Sequence, residues 1–236
     1  MDVDLTLSDQ GVDCNLRHFA MEGLAATEAA LHFAQTNRLA RLTADLGFGA
    51  EALWEPEPVT VTLGGMRIPL PSSAFLQATA DGEAALVAAA REWLADSTYS
   101  ADLFAGLGTF AFALPGRVAA FEGARDAYLA CRTAAGRTAS RVEAHHRDLF
   151  RNPLQQDELS RFDGVLIDPP RAGAREQVAH IASSAVSRVV YISCNPASWA
   201  KDARTLIDAG FSLAELRPVG QFRWSTHVEL ASLFVR

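Results

Sequence analysis

Cysteine is scarce in this 236-residue chain: Cys14, Cys131 and Cys194 are the only three, widely spaced and without a CxxC pair. That excludes a disulfide scaffold and the usual zinc spacings, and makes a reducing, cytoplasmic setting the expectation. Long apolar runs are also missing. No stretch reaches the ~18 uninterrupted apolar residues that a membrane helix needs. The first ten residues, MDVDLTLSDQ, are acidic and lack the apolar region of a signal peptide. Lysine is almost absent, with Lys201 the one lysine among 21 basic residues. Net positive charge is lacking as well. The formal net charge is −7; the first 98 residues carry 5 basic and 14 acidic side chains, the remainder 16 and 14. A bulk basic face of the kind that grips nucleic acid is therefore not expected, and any such grip must be local or come from elsewhere.

What remains is ordinary globular composition, 49% hydrophobic and 21% charged. Disorder, collagen and a coiled-coil rod are excluded. The length suits one large domain, or a medium domain with a smaller companion.

Two patterns divide the chain. In residues 1–75, DVDLTL alternates like a strand. GLAATEAALHFAQTN reads as a helix, with Leu24, Ala25, Leu31 and Ala34 near helical spacing. VTVTL and MRIPL flank Gly64-Gly65 like the arms and turn of a hairpin. A small α+β subdomain is expected there. Residues 76–236 open on a strong helix, DGEAALVAAAREWLAD, with Asp81 as its expected N-cap. Short apolar runs then alternate with helical segments: YSADLF, RVAAFE, RVEAHH, FDGVLID, RVVYIS, FSLAEL and VELASLFV are the strand candidates. Such alternation argues an α/β domain with a mostly parallel, doubly wound, Rossmann-like sheet. The last two strands are joined without a helix, so the final one is expected to run antiparallel. Ligands of such sheets bind at the C-terminal strand ends.

Four motifs fall at those ends. DLFAGLGTFAFAL places Gly106 and Gly108 after a strand, where a backbone can approach a ligand closely. Glu122 ends the next strand, 20 positions after Asp102, where an acid can hold both hydroxyls of a ribose. Ala111 stands where a dinucleotide fingerprint needs glycine, which favours a nucleoside cofactor over NAD. VLIDPPRAG ends an apolar strand on Asp168 and stiffens the turn with two prolines. The Arg171 that follows, in place of an aromatic, argues against N-methylation of adenine. VVYISCNPASWAKD puts Cys194 at a strand end and a helix start, a setting that favours a nucleophilic thiolate. Cys14 and Cys131 lack that setting and read as structural. STHVELASLF puts Glu229 near the start of the last strand, at the same sheet edge if that strand is antiparallel. It is a candidate general base. His227 reads as a loop-positioning residue.

In this order the motifs FLQ at 75–77, DLFAGLGTF, FEG, DPPRAGA, SCNP and HVE resemble the RNA (uracil-5-)-methyltransferase family, whose members make 5-methyluridine in 23S rRNA and tRNA. The resemblance covers roughly residues 74–236. It implies a class I S-adenosylmethionine-dependent methyltransferase fold. Gln77, Gly106, Glu122 and Asp148 then line the cofactor site, Asp168 faces cofactor or uracil, Cys194 is the nucleophile and Glu229 the base. The expected reaction is methylation of uridine C5, in rRNA rather than tRNA, through a covalent adduct between Cys194 and C6. S-adenosylmethionine is the implied cofactor and RNA the implied partner, with no membrane, metal or iron–sulfur cluster. Neither the family's N-terminal RNA-binding barrel nor its frequent four-cysteine motif is seen, so the chain resembles the C-terminal catalytic portion. Thr79, Thr109 and Arg223 stand where the family usually has Asn, Asn and Pro.

The chemistry explains the residue types. Uracil C5 is a poor nucleophile until a thiolate adds to C6; a base must then take the C5 proton so that the thiolate leaves. A carboxylate beside Cys194 raises its thiol pKa, so the thiolate is expected to await the cationic cofactor. Methylation of cytosine C5 is the alternative reaction, but Asp168 is followed by Pro-Pro, not Pro-Cys. A third reading is a cofactor-binding scaffold that needs a missing RNA-binding domain or partner. Trp199, Phe222 and Trp224 are candidates for stacking on an unstacked base.

Overall fold

The structure, a computed structural model, describes residues 1–19, 23–45, 47–222 and 224–236. Arg223 lies outside the described residues. The chain divides into two compact units, one of residues 1–62 and 66–75, the other of 63–65 and 76–236.

The first unit holds a four-stranded sheet, β1 (Asp2–Ser8), β2 (Gly11–Arg17), β3 (Arg41–Asp45) and β4 (Ala50–Trp54), in that spatial order. β1 and β2 form a hairpin, whereas β2 and β3 are parallel and joined through helix α1 (Gly23–Thr36). Apolar residues of one sheet face, Cys14 and Leu42, bury against Ala34 of α1 and Leu39. Of the four apolar positions expected to anchor α1, only Ala34 is buried, and Leu24 is 74% exposed. β2 and β3 went unread in the sequence because their other face is polar yet buried. Asp13 and Arg41 pair there at 2.6 Å, and Thr43 donates to Asn15 at 2.7 Å. The Gly64-Gly65 hairpin forms as expected, from β5 (Thr60–Leu63) and β6 (Met66–Pro69).

The second unit opens with helix α2 (Ala80–Trp93). Its N-cap is Thr79, not Asp81: Thr79 has extended backbone and its hydroxyl accepts from the Gly82 amide at 3.1 Å, while Asp81 lies inside the first turn. Seven strands follow, with four helices among them: β7 (Tyr99–Leu103), β8 (Arg117–Glu122), α3 (Arg125–Ala135), β9 (Val142–His146), α4 (Gln156–Leu159), β10 (Gly164–Ile167), α5 (Arg175–Ser183), β11 (Arg188–Ser193), α6 (Pro196–Asp208), β12 (Ser212–Val219) and β13 (Glu229–Val235). They form one sheet in the order β12-β13-β11-β10-β7-β8-β9. The four pairings among β7 to β11 are parallel, and β13 runs against both β11 and β12. This is the Rossmann-like, mostly parallel sheet with an antiparallel strand of class I methyltransferases.

Apolar burial sets the register. Val165, Leu166 and Ile167 are fully buried on both faces of β10, as continuous apolar central strands require. Each contributes about 1.5–3 kcal/mol by leaving water. The order reverses between β7 and β10, so the topological switch point, where such sheets take ligands, lies beyond Leu103 and Ile167. Among the described residues no helix is long and apolar enough to cross a membrane.

Candidate active site

The strand ends at the switch point carry the acids. The chain leaves β7 through Phe104, whose φ of 63° is rare for a non-glycine residue and marks local strain. Its ring meets that of Phe150 at 5.2 Å. Gly106 follows at φ 57°, and a Cβ built there meets nothing within 4 Å. Open space therefore lies over the glycine loop. Glu122, at the end of β8, ties that loop down: its carboxylate accepts from the Gly106 amide at 2.8 Å and the Ala124 amide at 2.5 Å. Both oxygens keep a free lone pair for a diol. Asp148 stands just past β9, exposed, with its backbone packed beside Gly123. Its Oδ1 accepts from the Phe150 amide at 3.0 Å, and Arg151 pairs with it at 3.5 Å. Gln77 accepts from Gln221 at 2.7 Å, so its amide is held by a partner far along the chain.

One acid was not singled out from sequence. Asp102 lies inside β7, fully buried, and neither carboxylate oxygen has a hydrogen-bond partner. Burial, with Asp168 and Glu122 adding like charge, pushes its pKa up to about 8; the Ala111 amide, near the carboxylate but outside good hydrogen-bond geometry, only partly offsets this. The available signal was an acid inside an otherwise apolar strand that leads into a glycine loop.

The second cluster lies beyond β10, β11 and β13. Asp168 directly follows β10, and its amide donates to the Leu103 carbonyl at 3.1 Å. Cys194 directly follows β11. Ser193 is paired with Leu230 in the antiparallel ladder, so Cys194 and Glu229, each one residue further towards this edge, flank the same spot. Sequence reading placed Glu229 at this edge, and only the antiparallel register puts it there. Burial first, and Glu229 second, push Asp168 up to about 7. Burial raises Glu229 too. The Cys194 thiol is raised by burial, then by Glu229 and Asp168, while Arg171 and the residue's own backbone amide pull it down. Cys131 is buried and pushed up to about 12, chiefly by burial, as befits an inert core thiol.

Loops are clamped around Cys194. Asn195 caps α6 by accepting from the Ala197 amide at 3.0 Å, and donates to the Arg171 carbonyl at 2.8 Å. Asp202, buried in α6, accepts from the Tyr191 hydroxyl at 2.6 Å and the Ala174 amide at 2.9 Å. The Asp168–Ala174 turn is thereby fixed against the strand and helix that flank Cys194. Of the aromatic candidates, Trp199 donates to Ser232 at 3.0 Å and packs on the core. Trp224 is fully exposed, and Phe222 is half exposed with its ring edge-on to His227 at 6.1 Å.

The donor set suits a cationic nucleoside cofactor. Two unpartnered, buried carboxylate oxygens of Asp102 answer a positive charge, Glu122 answers a ribose, and the space above Gly106 admits the ligand. Among the described residues no group of three or more His, Cys, Asp or Glu side chains is arranged to hold a metal ion.

Comparison with known proteins bears on family and fold. The tRNA (uracil-5-)-methyltransferase family profile matches residues 132–236. An uncharacterized RNA methyltransferase of Zymomonas mobilis is 52% identical over 236 residues, covering 99% of this chain and 59% of its own length. The chain belongs to the RNA (uracil-5-)-methyltransferase family. A further relative is the 23S rRNA (uracil(1939)-C(5))-methyltransferase of Edwardsiella ictaluri, 33% identical over 98% of this chain and 54% of its own. The chain thus spans little more than half the length of these relatives. Among solved structures, the tRNA (uracil-54, C5)-methyltransferase of Pyrococcus abyssi in complex with S-adenosyl-L-homocysteine superposes with a TM-score of 0.75. It is 22% identical, over 95% of this chain and 56% of that one. The tRNA m1G37 methyltransferase of M. jannaschii superposes at 0.64 with 11% identity, over 98% of this chain and 74% of that one. These two establish the shared fold.

Proposed function

We propose that this family member methylates C5 of a uridine in RNA, with Cys194 as nucleophile and Glu229 as base. The observation that carries the reading is the convergence of Cys194, Glu229 and Asp168 on one sheet edge, next to an acid-lined space that suits a cationic nucleoside. Glu122 would hold the ribose of S-adenosylmethionine, with Gln77, Gly106, Asp102 and Asp148 around it. When bound, that cofactor supplies an electrophilic methyl group and a positive charge.

The chain's own residues do the rest. The Cys194 thiolate adds to uracil C6 and turns C4=O–C5 into an enolate, which makes C5 nucleophilic. After C5 gains its methyl group, the Glu229 carboxylate takes the C5 proton. The electrons of that C–H bond rebuild the C5–C6 double bond and expel the thiolate. Arg171 favours the thiolate, whereas Glu229 and Asp168 oppose it, so the nucleophile is held back in the free protein. Asp168, on its stiff Pro-Pro turn, faces cofactor or uracil. Ribosomal RNA is the preferred substrate class, in line with the activity named for the Edwardsiella ictaluri relative.

Transfer of labelled methyl from S-adenosylmethionine to unmodified rRNA and tRNA, read by nucleoside mass spectrometry, tests this. Labelled 5-methyluridine that disappears with Cys194→Ala is the expected result. Labelled 5-methylcytidine would redirect the reading to cytosine. Cofactor binding without any transfer would support the scaffold reading.

A further inference from the structure

Arginine in this chain is mostly committed to partners. Arg17, Arg41, Arg117, Arg147, Arg204 and Arg217 each pair with a carboxylate. Arg141, Arg188 and Arg236 donate to backbone carbonyls. Arg171, Arg175 and Lys201 are set apart by sharing one place in the fold. All three are exposed, and among the described residues none of their side chains makes an ion pair or hydrogen bond. In a chain of net charge −7, these three cations line one groove of about 570 Å³.

The groove is built, not incidental. One wall is the turn from Arg171 to Arg175; the other is the first turns of α6, where Ser198, Lys201 and Thr205 share a face at helical spacing. The two clamps described above, Asn195 to the Arg171 carbonyl and Asp202 to the Ala174 amide, hold the walls together. The one carboxylate on its lining, Asp202, is turned to Tyr191 and Ala174 and occupied there. Asn195, on the groove's lining, is the residue after Cys194.

We propose that this groove binds a backbone phosphate of the RNA, next to the nucleotide presented to Cys194. The inference rests on the RNA-methylating reading of the site. Phosphate is the ligand that exposed, unpaired guanidinium and ammonium groups suit; the Ser198 and Thr205 hydroxyls on the lining donate to the Asn195 and Lys201 carbonyls. It also supplies the local grip that the chain's overall acidity otherwise denies. With Arg171 close enough to act on the Cys194 thiol, the phosphate would fix the register of the nucleotide.

The test is binding of unmodified 23S rRNA and tRNA transcripts across a salt series, for the wild-type chain and the Arg175→Gln/Lys201→Gln double variant. Affinity of the double variant is expected to fall roughly tenfold, and the slope of log K against log salt to shrink by about 0.7–1.8, for one or two lost contacts. Lys201→Arg should keep wild-type affinity. Arg91→Gln, which removes one charge from the exposed face of α2, should leave the slope in place. An unchanged affinity and slope in the double variant overturns the proposal, as does a wild-type chain that binds neither transcript. The two readings separate cleanly. Altered binding without any 5-methyluridine from the wild type sinks only the reaction; 5-methyluridine with an indifferent double variant sinks only the groove.

Discussion

The two units treat a buried aspartate in opposite ways. In the first, Asp13 is 3% exposed and meets Arg41 in a two-pronged pair at 2.9 and 2.6 Å, while Arg41 also donates to the Leu70 carbonyl. In the second, Asp102 is fully buried with no hydrogen-bond partner and with further acids as its electrostatic neighbours. A buried charge that is fully paired is compatible with a purely structural role. One left unpaired carries a desolvation penalty that a bound cation would relieve. The first arrangement closes a sheet face; the second leaves a demand for a ligand.

That contrast can be broken at several points. The largest effect belongs to the second unit's edge. Cys194→Ala should lower methyl transfer by more than about 10³-fold, with cofactor binding and thermal midpoint retained. Transfer assays beside isothermal titration check this, and undiminished turnover would remove Cys194 from the chemistry. Glu229→Gln should reduce turnover by about 10²–10⁴-fold. Because proton removal fails after the adduct has formed, protein covalently joined to RNA should accumulate on a denaturing gel; its absence would count against Glu229 as the base.

In the first unit the expected effect is on stability. Asp13→Ala strands the Arg41 guanidinium and should cost about 3–5 kcal/mol, measured by denaturant unfolding. A loss below about 1 kcal/mol would mean that the pair is not the clasp its geometry indicates.

The smallest effect is a slope. Asp102 has a pKa raised to about 8 in the fold, against an ordinary value near 3.8. The folded state therefore holds this proton when the unfolded state has lost it. Stability contributed here is full below about pH 4 and declines as pH rises towards about 8, by at most about 1.4 kcal/mol per unit. Asp168, raised to about 7, acts in the same direction. Asp102→Asn should flatten the decline in unfolding free energy between pH 5 and 8, and an identical slope in both proteins would show that Asp102 is ionised in the fold.

Legibility in the sequence followed solvent contrast. The strands around the site were readable because they are apolar and end on glycine, proline or an acid: RVAAFE and RVVYIS match β8 and β11 residue for residue. β2 and β3 were not, because Asp13, Asn15, Arg41 and Thr43 look like solvated residues and are buried against one another. The cap of α2 was misassigned by two positions because Thr79 and Asp81 are equally good capping types. The extended backbone at Thr79 decides between them.

The sequence by itself determined the alternation of elements in the second unit and the class of its sheet, because apolar periodicity and strand-end residues are local properties. Tertiary structure alone decided which acids share an edge, that Asp102 is buried without a partner, and that three unpaired cations line the groove beside Cys194. Those are matters of distance and desolvation between residues up to a hundred positions apart, and no local pattern encodes them.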